Sequence, residues 1–384
     1  MKAVICGAGI AGLTLGWWLG RDGWDVVIVE KAPGLRDEGY MIDFFGAGYG
    51  VAERMDLVPR LKQVAYHVPE VCWIDSDERV ISCLDYDAMR ELLNGRLLSL
   101  MRGDLERALF DVRPPAVDIR FGYSVAEIHA TSPKAEMTLT SGERMQADLL
   151  VGADGVHSTV RKSVFGNAED SGFRYLGMQT AAFIFEDAAV RGQLDRVKLL
   201  TVPGRQICFY PIRGNRVAAF AVHLAPEHTR PSSPVAKIQR VYGDLGWIVP
   251  DALRHAAKLP DIYYDDVAQI VMPRWSEGCV TLVGDACHAV SLLAGQGASM
   301  AMGGACALAE ALRKESSVEA GLARYEAELR PSVERQQAAG RRMANWFVPA
   351  SQWRLMLRNL TLKLMRVPGL NRLMLRSVTS GADI

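Results

Sequence analysis

The chain has 384 residues, 49% of them hydrophobic and 23% charged, enough for two or three globular units and unlike disordered, collagenous or rod-forming chains. Lysine plus arginine and aspartate plus glutamate both number 44, so no whole-chain basic footprint for nucleic acid exists. The seven cysteines are scattered without a C-x-x-C pair, which predicts neither a disulfide framework nor a metal site, and a reducing cytoplasm; no uncharged apolar run reaches the roughly 18 residues that span a bilayer, and the apolar start leads to no cleavage site.

Residues 2–6 (KAVIC) read as a buried strand, followed at once by Gly7-Ala8-Gly9-Ile10-Ala11-Gly12, a helical stretch over 13–20, a second apolar strand at 25–29 and then Glu30-Lys31. Each part of this strand, G-x-G-x-x-G, helix, strand, acid unit has a physical task in binding a dinucleotide. Gly7 permits the tight turn, Gly9 lets a pyrophosphate approach the backbone, and Gly12 lets helix and sheet pack closely. The helix start, with Ile10 and Ala11, offers free N–H groups and a positive dipole end to phosphates. Glu30, with Lys31 beside it, is placed to accept from a ribose diol. The motif alone leaves FAD and NAD open.

Further along, 40–45 reads as a strand, 47–57 as a short helix, 70–84 as a hairpin turning at Asp75–Glu78, and 103–112 as a helix. Strands dominate 119–153 and 178–223, and Pro226, Pro231 and Pro234 predict a surface loop. A strand at 279–283 runs into Gly284-Asp285, and helical sequence follows from about 297. This predicts an α/β protein: a discontinuous Rossmann-type nucleotide-binding domain over 1–68, 95–172 and 270–340, an inserted β-sheet substrate domain over 69–94 and 173–269, and C-terminal amphipathic helices over 341–384.

Two more motifs follow buried strands: Gly152-Ala153-Asp154-Gly155-Val156-His157-Ser158-Thr159-Val160-Arg161, and Gly284-Asp285-Ala286-Cys287-His288 leading to Gly295-Gln296-Gly297-Ala298 at a helix start. With the glycine turn, these make the chain resemble the class A flavoprotein monooxygenases, the family of para-hydroxybenzoate hydroxylase, over about residues 1–312. The resemblance implies FAD held without a covalent bond. Asp285 would bond its ribityl or ribose side, and Gly295, Gln296, Gly297 and Ala298 would offer N–H groups to the flavin edge. Arg102, which matches that family's R-x-x-L helix start, and Arg36 would contact FAD, while Asp154, Gly155 and Arg161 would support the pyrophosphate side; an equal reading of Arg161 is a structural ion-pair member. His288 is read as a supporting residue and Cys287 as a buried filler. The sequence departs from the family pattern at Ala289 and Leu292, where prolines usually line the flavin face, and at Gly304, where an Asp is usual. The pattern is more similar to the branch containing the tetracycline destructases.

The resemblance further implies that NAD(P)H reduces FAD as a transient reductant, that O2 adds at flavin C4a, and that the hydroperoxide's distal oxygen passes to an aromatic or polyketide-like small molecule. No protein nucleophile is required, and no catalytic side chain is assigned. Gln179, Phe183, Phe209 and Phe220 on the inserted strands, with Leu292, are the expected substrate-lining residues; alternation puts Phe183 and Phe185 on one face, and Phe209 opposite to Tyr210. Two other functions are compatible with the fold: a different FAD oxidoreductase, such as a reductase or a halogenase (though the halogenase W-x-W-x-I-P is absent), and a non-catalytic ligand-binding flavoprotein.

The tail is distinct. From 346 to 384 it has six basic residues and one acid, Asp383. Trp353, Leu357, Leu360, Leu364 and Val367 fall at 4-3-4-3 spacing, an apolar helical stripe that ends before Pro368-Gly369. Such a stripe most often docks on its own protein, here across the two domains; the second reading is a basic amphipathic helix on a membrane surface.

Overall fold

The two apolar runs that flank the glycine turn form parallel strands, Lys2–Cys6 and Asp25–Glu30, joined by the helix Ile10–Arg21. The computed structural model describes residues 1–35, 39–166, 172–291 and 295–364, apart from the side chains of Ala130 and Asn345. Arg36 and Leu292 therefore lie outside the described residues, as do Val367 and the rest of the tail.

A six-stranded sheet has the order 276–277, 280–282, 149–152, 2–6, 25–30, 117–121. All its pairings are parallel except the edge pair Ser276–Glu277 with Val280–Leu282. Its central strands are buried on both faces, which explains their unbroken apolar runs. The chain builds outward in both directions from Lys2–Cys6. A crevice therefore opens at the C-terminal ends of Lys2–Cys6 and Leu149–Gly152, where open α/β sheets bind ligands.

A second sheet of seven strands has the order 263–270, 173–186, 216–224, 205–211, 197–202, 70–74, 80–85. Both of its faces are covered. On one, Phe183, Phe185, Phe209 and Val217 pack against Ile238, Tyr242, Val249 and Leu253 of the helices Pro234–Tyr242 and Val249–Ala256. The other face carries Cys208, Tyr210, Ala218 and Phe220 and packs toward Met41 and Met101 at the edge of the crevice. The predicted loop thus ends earlier than its prolines suggest: Ser233 caps a helix with Pro234 in its first turn, where a missing N–H costs nothing.

The expectation of unpaired cysteines is corrected. Cys72 and Cys83 are direct cross-strand partners in the hairpin and form a disulfide; the other five are buried and free. Their separation of 11 carries no sequence pattern, and only the hairpin register brings them together.

The helices Gly297–Lys314 and Val318–Phe347 back the nucleotide sheet. The last described helix, Gln352–Leu364, docks on the inserted sheet, but not through the predicted stripe. Leu355, Arg358 and Leu362 are the buried positions, whereas Trp353, Leu357, Leu360 and Leu364 face solvent. A polar seam accounts for this: Ser82 donates to the Leu362 carbonyl at 2.8 Å, and Arg358 donates to Thr201 and Gln206 at 3.4 Å. No helix among the described residues is long and apolar enough to cross a membrane.

Candidate functional site

Three chain segments leave neighbouring strand ends into the crevice. Gly7, with φ of 106°, donates to the Val29 carbonyl, and a Cβ there would meet Ala153 backbone oxygen at 2.5 Å. At Gly12 a Cβ would fall 1.9 Å from the Gly7 carbonyl oxygen, so helix and turn touch through bare backbone. Gly9 differs: the nearest atoms to a Cβ there are the polar tips of Glu106, at 3.6 Å, and Arg102, at 3.9 Å. The helix start at Gly9 is therefore bounded by side-chain tips and not by backbone, one of them a guanidinium.

Arg102 opens the helix Arg102–Asp111 and pairs with Glu106 at 2.8 Å. Burial works against its charge, but Glu106, Tyr40, Tyr263 and Asp285 outweigh it and raise its pKa. Asp285 begins the short helix after Gly284, whose Cβ position lies 2.7 Å from Ala11 in the first turn of the glycine helix. Its carboxylate is exposed to the crevice, with protein groups lining the space around it. Desolvation within the crevice raises its pKa, opposed by Arg102 and reinforced by Asp265. Among the described residues it accepts no hydrogen bond. Ile10 and Ala11 are buried in the first turn of the glycine helix.

Glu30 accepts from the Ala8 and Ala32 N–H groups, both at 2.8 Å, through different oxygens, and so pins the glycine turn to the end of its strand. Lys31 is exposed beside it. Asp154 caps the helix Thr159–Phe165 through one oxygen, which accepts from Thr159 and Val160; its other oxygen is buried without a partner. Gly155 takes the turn with φ of 77°. From the third segment, Gly295 has φ of 66°, Gln296 precedes the helix without a side-chain capping bond, and Gly297 and Ala298 begin the helix Gly297–Lys314. A Cβ at Gly295 or Gly297 would meet nothing within 4 Å. Ser291, at the entry to this segment, has φ of 96°, a strained value for a side chain with a Cβ.

Arg161 takes the structural one of its two readings. It is buried, and its two terminal nitrogens donate to the carbonyls of Ala286, at 2.8 Å, and Val156, at 2.6 Å. It braces the second motif against the third. His288 is a supporting residue: it is buried, accepts from the Gly284 N–H at 3.1 Å, and burial lowers its pKa to about 4.

The crevice wall also differs from expectation. Phe220 is on it, with its ring 5.3 Å from that of Tyr40, which is 5.7 Å from that of Tyr263. Tyr210 accepts from the Met41 N–H at 2.8 Å. Phe183 and Phe209 are on the opposite face, sealed under the two helices, and Gln179 is buried on that face too, bonded to Asp266, Tyr264 and Thr229. These three are core residues because strand alternation turns them away from the crevice. Tyr40, Tyr263 and Asp265 were missed. In Tyr263-Tyr264-Asp265-Asp266 alternation puts Tyr263 and Asp265 together, and Asp265 takes His157 of the second motif as a partner at 2.9 Å.

The residues fit an FAD. An N–H-rich helix start faces Arg102, a second helix start has open glycines, and Asp285 and one Asp154 oxygen are acceptors without partners.

The FAD binding domain model matches residues 84–339. An uncharacterized protein of Mycobacterium tuberculosis is 32% identical over 342 residues, covering 87% of this chain and 91% of the relative. A flavin-dependent monooxygenase from an unknown prokaryotic organism is 29% identical over 347 residues, covering 88% of each. The crystal structure of the tetracycline destructase Tet(55) superposes with a TM-score of 0.83 at 25% identity, over 99% of this chain and 97% of that one.

Proposed function

We propose that this chain, which belongs to the FAD binding domain family and is an FAD-dependent oxidoreductase of the flavin monooxygenase type, hydroxylates an aromatic or polyketide-like small molecule with NAD(P)H and O2 in the cytoplasm. The single observation that carries the substrate class is the wall of Tyr40, Phe220 and Tyr263, aromatic rings packed together over a crevice that also holds Arg102 and Asp285. The likeness to a tetracycline destructase supports a fused-ring substrate of polyketide type.

In this reading the division of labour follows the strands. The six-stranded sheet, in a unit spanning 1–68, 95–172 and 270–340, holds the cofactor; the inserted sheet of 69–94 and 173–269 presents the substrate. The N–H groups at Gly9, Ile10 and Ala11 and the Arg102 guanidinium meet the pyrophosphate, and Glu30, with a lone pair left on each oxygen, meets the ribose. Asp285 takes a hydroxyl of the ribityl chain as donor. The helix start at Gly295-Gln296-Gly297-Ala298 directs its dipole at negative charge. Bound flavin supplies the redox and oxygen chemistry. The protein positions the substrate ring against Phe220 and Tyr263 and excludes water with the same apolar wall.

The test is turnover with a panel of aromatic and polyketide compounds under isotopically labelled O2. We expect NAD(P)H oxidation to accelerate on adding a true substrate and one labelled oxygen atom to enter each product. A product changed only in hydrogen count, formed equally well without O2, would transfer the protein to the reductases on this fold.

A further inference from the structure

We infer that the outer face of the C-terminal helix Gln352–Leu364 is a docking face for an anionic lipid surface. The helix is held to the inserted sheet by Leu355, Arg358 and Leu362, which leaves the opposite face to solvent. That face is strongly apolar: Trp353 is 63% exposed, Met356 61%, Leu357 54%, Leu360 55% and Leu364 49%. These five are nearly half of the eleven exposed large hydrophobic residues among the described ones, and all five lie on one short helix. At 3.6 residues per turn they form a stripe about 100° wide. A contiguous apolar stripe of this kind on a folded protein marks an interaction site.

Charge selects the occupant. Between Glu334 and Asp383 the chain has no acid and nine basic residues, in a protein whose total charge is zero. On the helix itself the exposed Arg354 and Lys363 lie on opposite flanks of the stripe, and the Arg354 guanidinium sits 5.6 Å from the Trp353 ring centre. Apolar residues with a Trp at one end, flanked on both sides by long cationic side chains, match the geometry of a helix lying in a bilayer interface. The apolar side chains enter the acyl boundary while Arg and Lys reach lipid phosphates. A second copy of this chain is a poorer occupant, because pairing two such faces brings like charges together with no acid between them. The docked side of the helix stays on the protein throughout, so the face is presented without unfolding.

The experiment uses the full-length, FAD-loaded protein and co-sedimentation with vesicles of phosphatidylcholine alone or mixed with phosphatidylglycerol. We expect binding to the anionic vesicles at least about tenfold tighter than to the neutral ones, and most of it lost at high salt. Leu357→Ser/Leu360→Ser should weaken it by about tenfold or more with flavin content and melting temperature unchanged, because both positions are exposed. Arg354→Glu/Lys363→Glu should remove the preference for anionic lipid. Three results would overturn the inference: no wild-type binding to either vesicle, a serine variant that binds as tightly as wild type, or a wild-type dimer in sedimentation that the serine variant converts to monomer. Binding that appears only on removing residues 365–384 would likewise overturn it, because the chain's own end would then occupy the stripe.

Discussion

His288 and Gly304 compete for one place: a Cβ on residue 304 would lie 2.8 Å from His288 Nε2 and 3.2 Å from its Cε1. The ring is buried, packs near Trp275 with centres 5.5 Å apart, and accepts from the Gly284 N–H. The family pattern's Asp at 304 could not coexist with this ring position, so the departure noted in the sequence is a packing exchange. Gly304→Ala should force the ring aside and release the Gly284 turn, at a cost of about 1–3 kcal/mol, the usual range for overpacking. Thermal melting checks it; a melting temperature equal to wild type would show that the ring has room to yield.

Two buried histidines set a pH dependence. Burial lowers His288 to about 4; His223 is lowered to about 4 by burial and, secondarily, by Lys237. Each is neutral when folded and takes up its proton near 6.5 when unfolded. Between about 6.5 and 4 the unfolded chain therefore binds more protons, and stability is complete above this window and falls as pH drops through it. His223 sits between the hydroxyls of Tyr242, at 3.4 Å, and Tyr264, at 3.3 Å, contacts that a glutamine can imitate without titrating. His223→Gln should remove up to one proton's worth of slope, about 1.4 kcal/mol per pH unit, from urea-unfolding free energies measured across the window. An unchanged slope would mean that His223 titrates alike in both states.

The first two glycines of the helix start should separate folding from cofactor binding. A Cβ at Gly12 strikes backbone oxygen at 1.9 Å, which neither rotamer change nor a small shift relieves. Gly12→Ala should therefore fail to accumulate as folded protein. Gly9 has only side-chain tips beyond 3.5 Å in front of it, so Gly9→Val should fold, as circular dichroism would show, and lose FAD affinity by well over tenfold through contact with the pyrophosphate. Full flavin absorbance in folded Gly9→Val protein would place the cofactor elsewhere.

Much of this site was readable in the chain because glycines at fixed offsets report backbone contacts, which need no partner to be known. What sequence could not supply was partnership across space. Arg161 stands in a cofactor motif beside an acid, but the carbonyls that occupy it belong to Ala286 and Val156. In the tail, periodicity identified a continuous stripe, yet the helix has apolar residues on two sides. A buried polar seam through Arg358, Thr201 and Gln206 decided which side docks. Alternation likewise sorted the aromatic residues of the inserted strands into two sets, correctly separating Phe209 from Tyr210. With both faces of the sheet covered, nothing in the alternation says which set meets the cofactor.

That ambiguity gives the sharpest functional test. Phe220 pairs with Ala182 and Cys208 across the strands on the crevice face, beneath Tyr40, while Phe183 lies one residue beyond Ala182 on the face sealed by the two helices. The two rings are close in sequence register and opposite in environment. Phe183→Ala removes a ring that is 5% exposed and leaves a cavity, so it should cost about 3–5 kcal/mol of stability with little change in KM of whatever enzyme remains folded. Phe220→Ala removes part of the wall against which a planar substrate rests. It should raise KM, by about tenfold for a loss of roughly 1.4 kcal/mol of ring contact, with a smaller change in melting temperature. Uncoupled oxidation of NAD(P)H should also rise, because the space opened beside Tyr40 admits water. Steady-state kinetics and thermal melts on the pair decide the matter. If Phe183→Ala raised KM and Phe220→Ala left it alone, the assignment of the two faces would be reversed and the substrate would have to approach from the helical side.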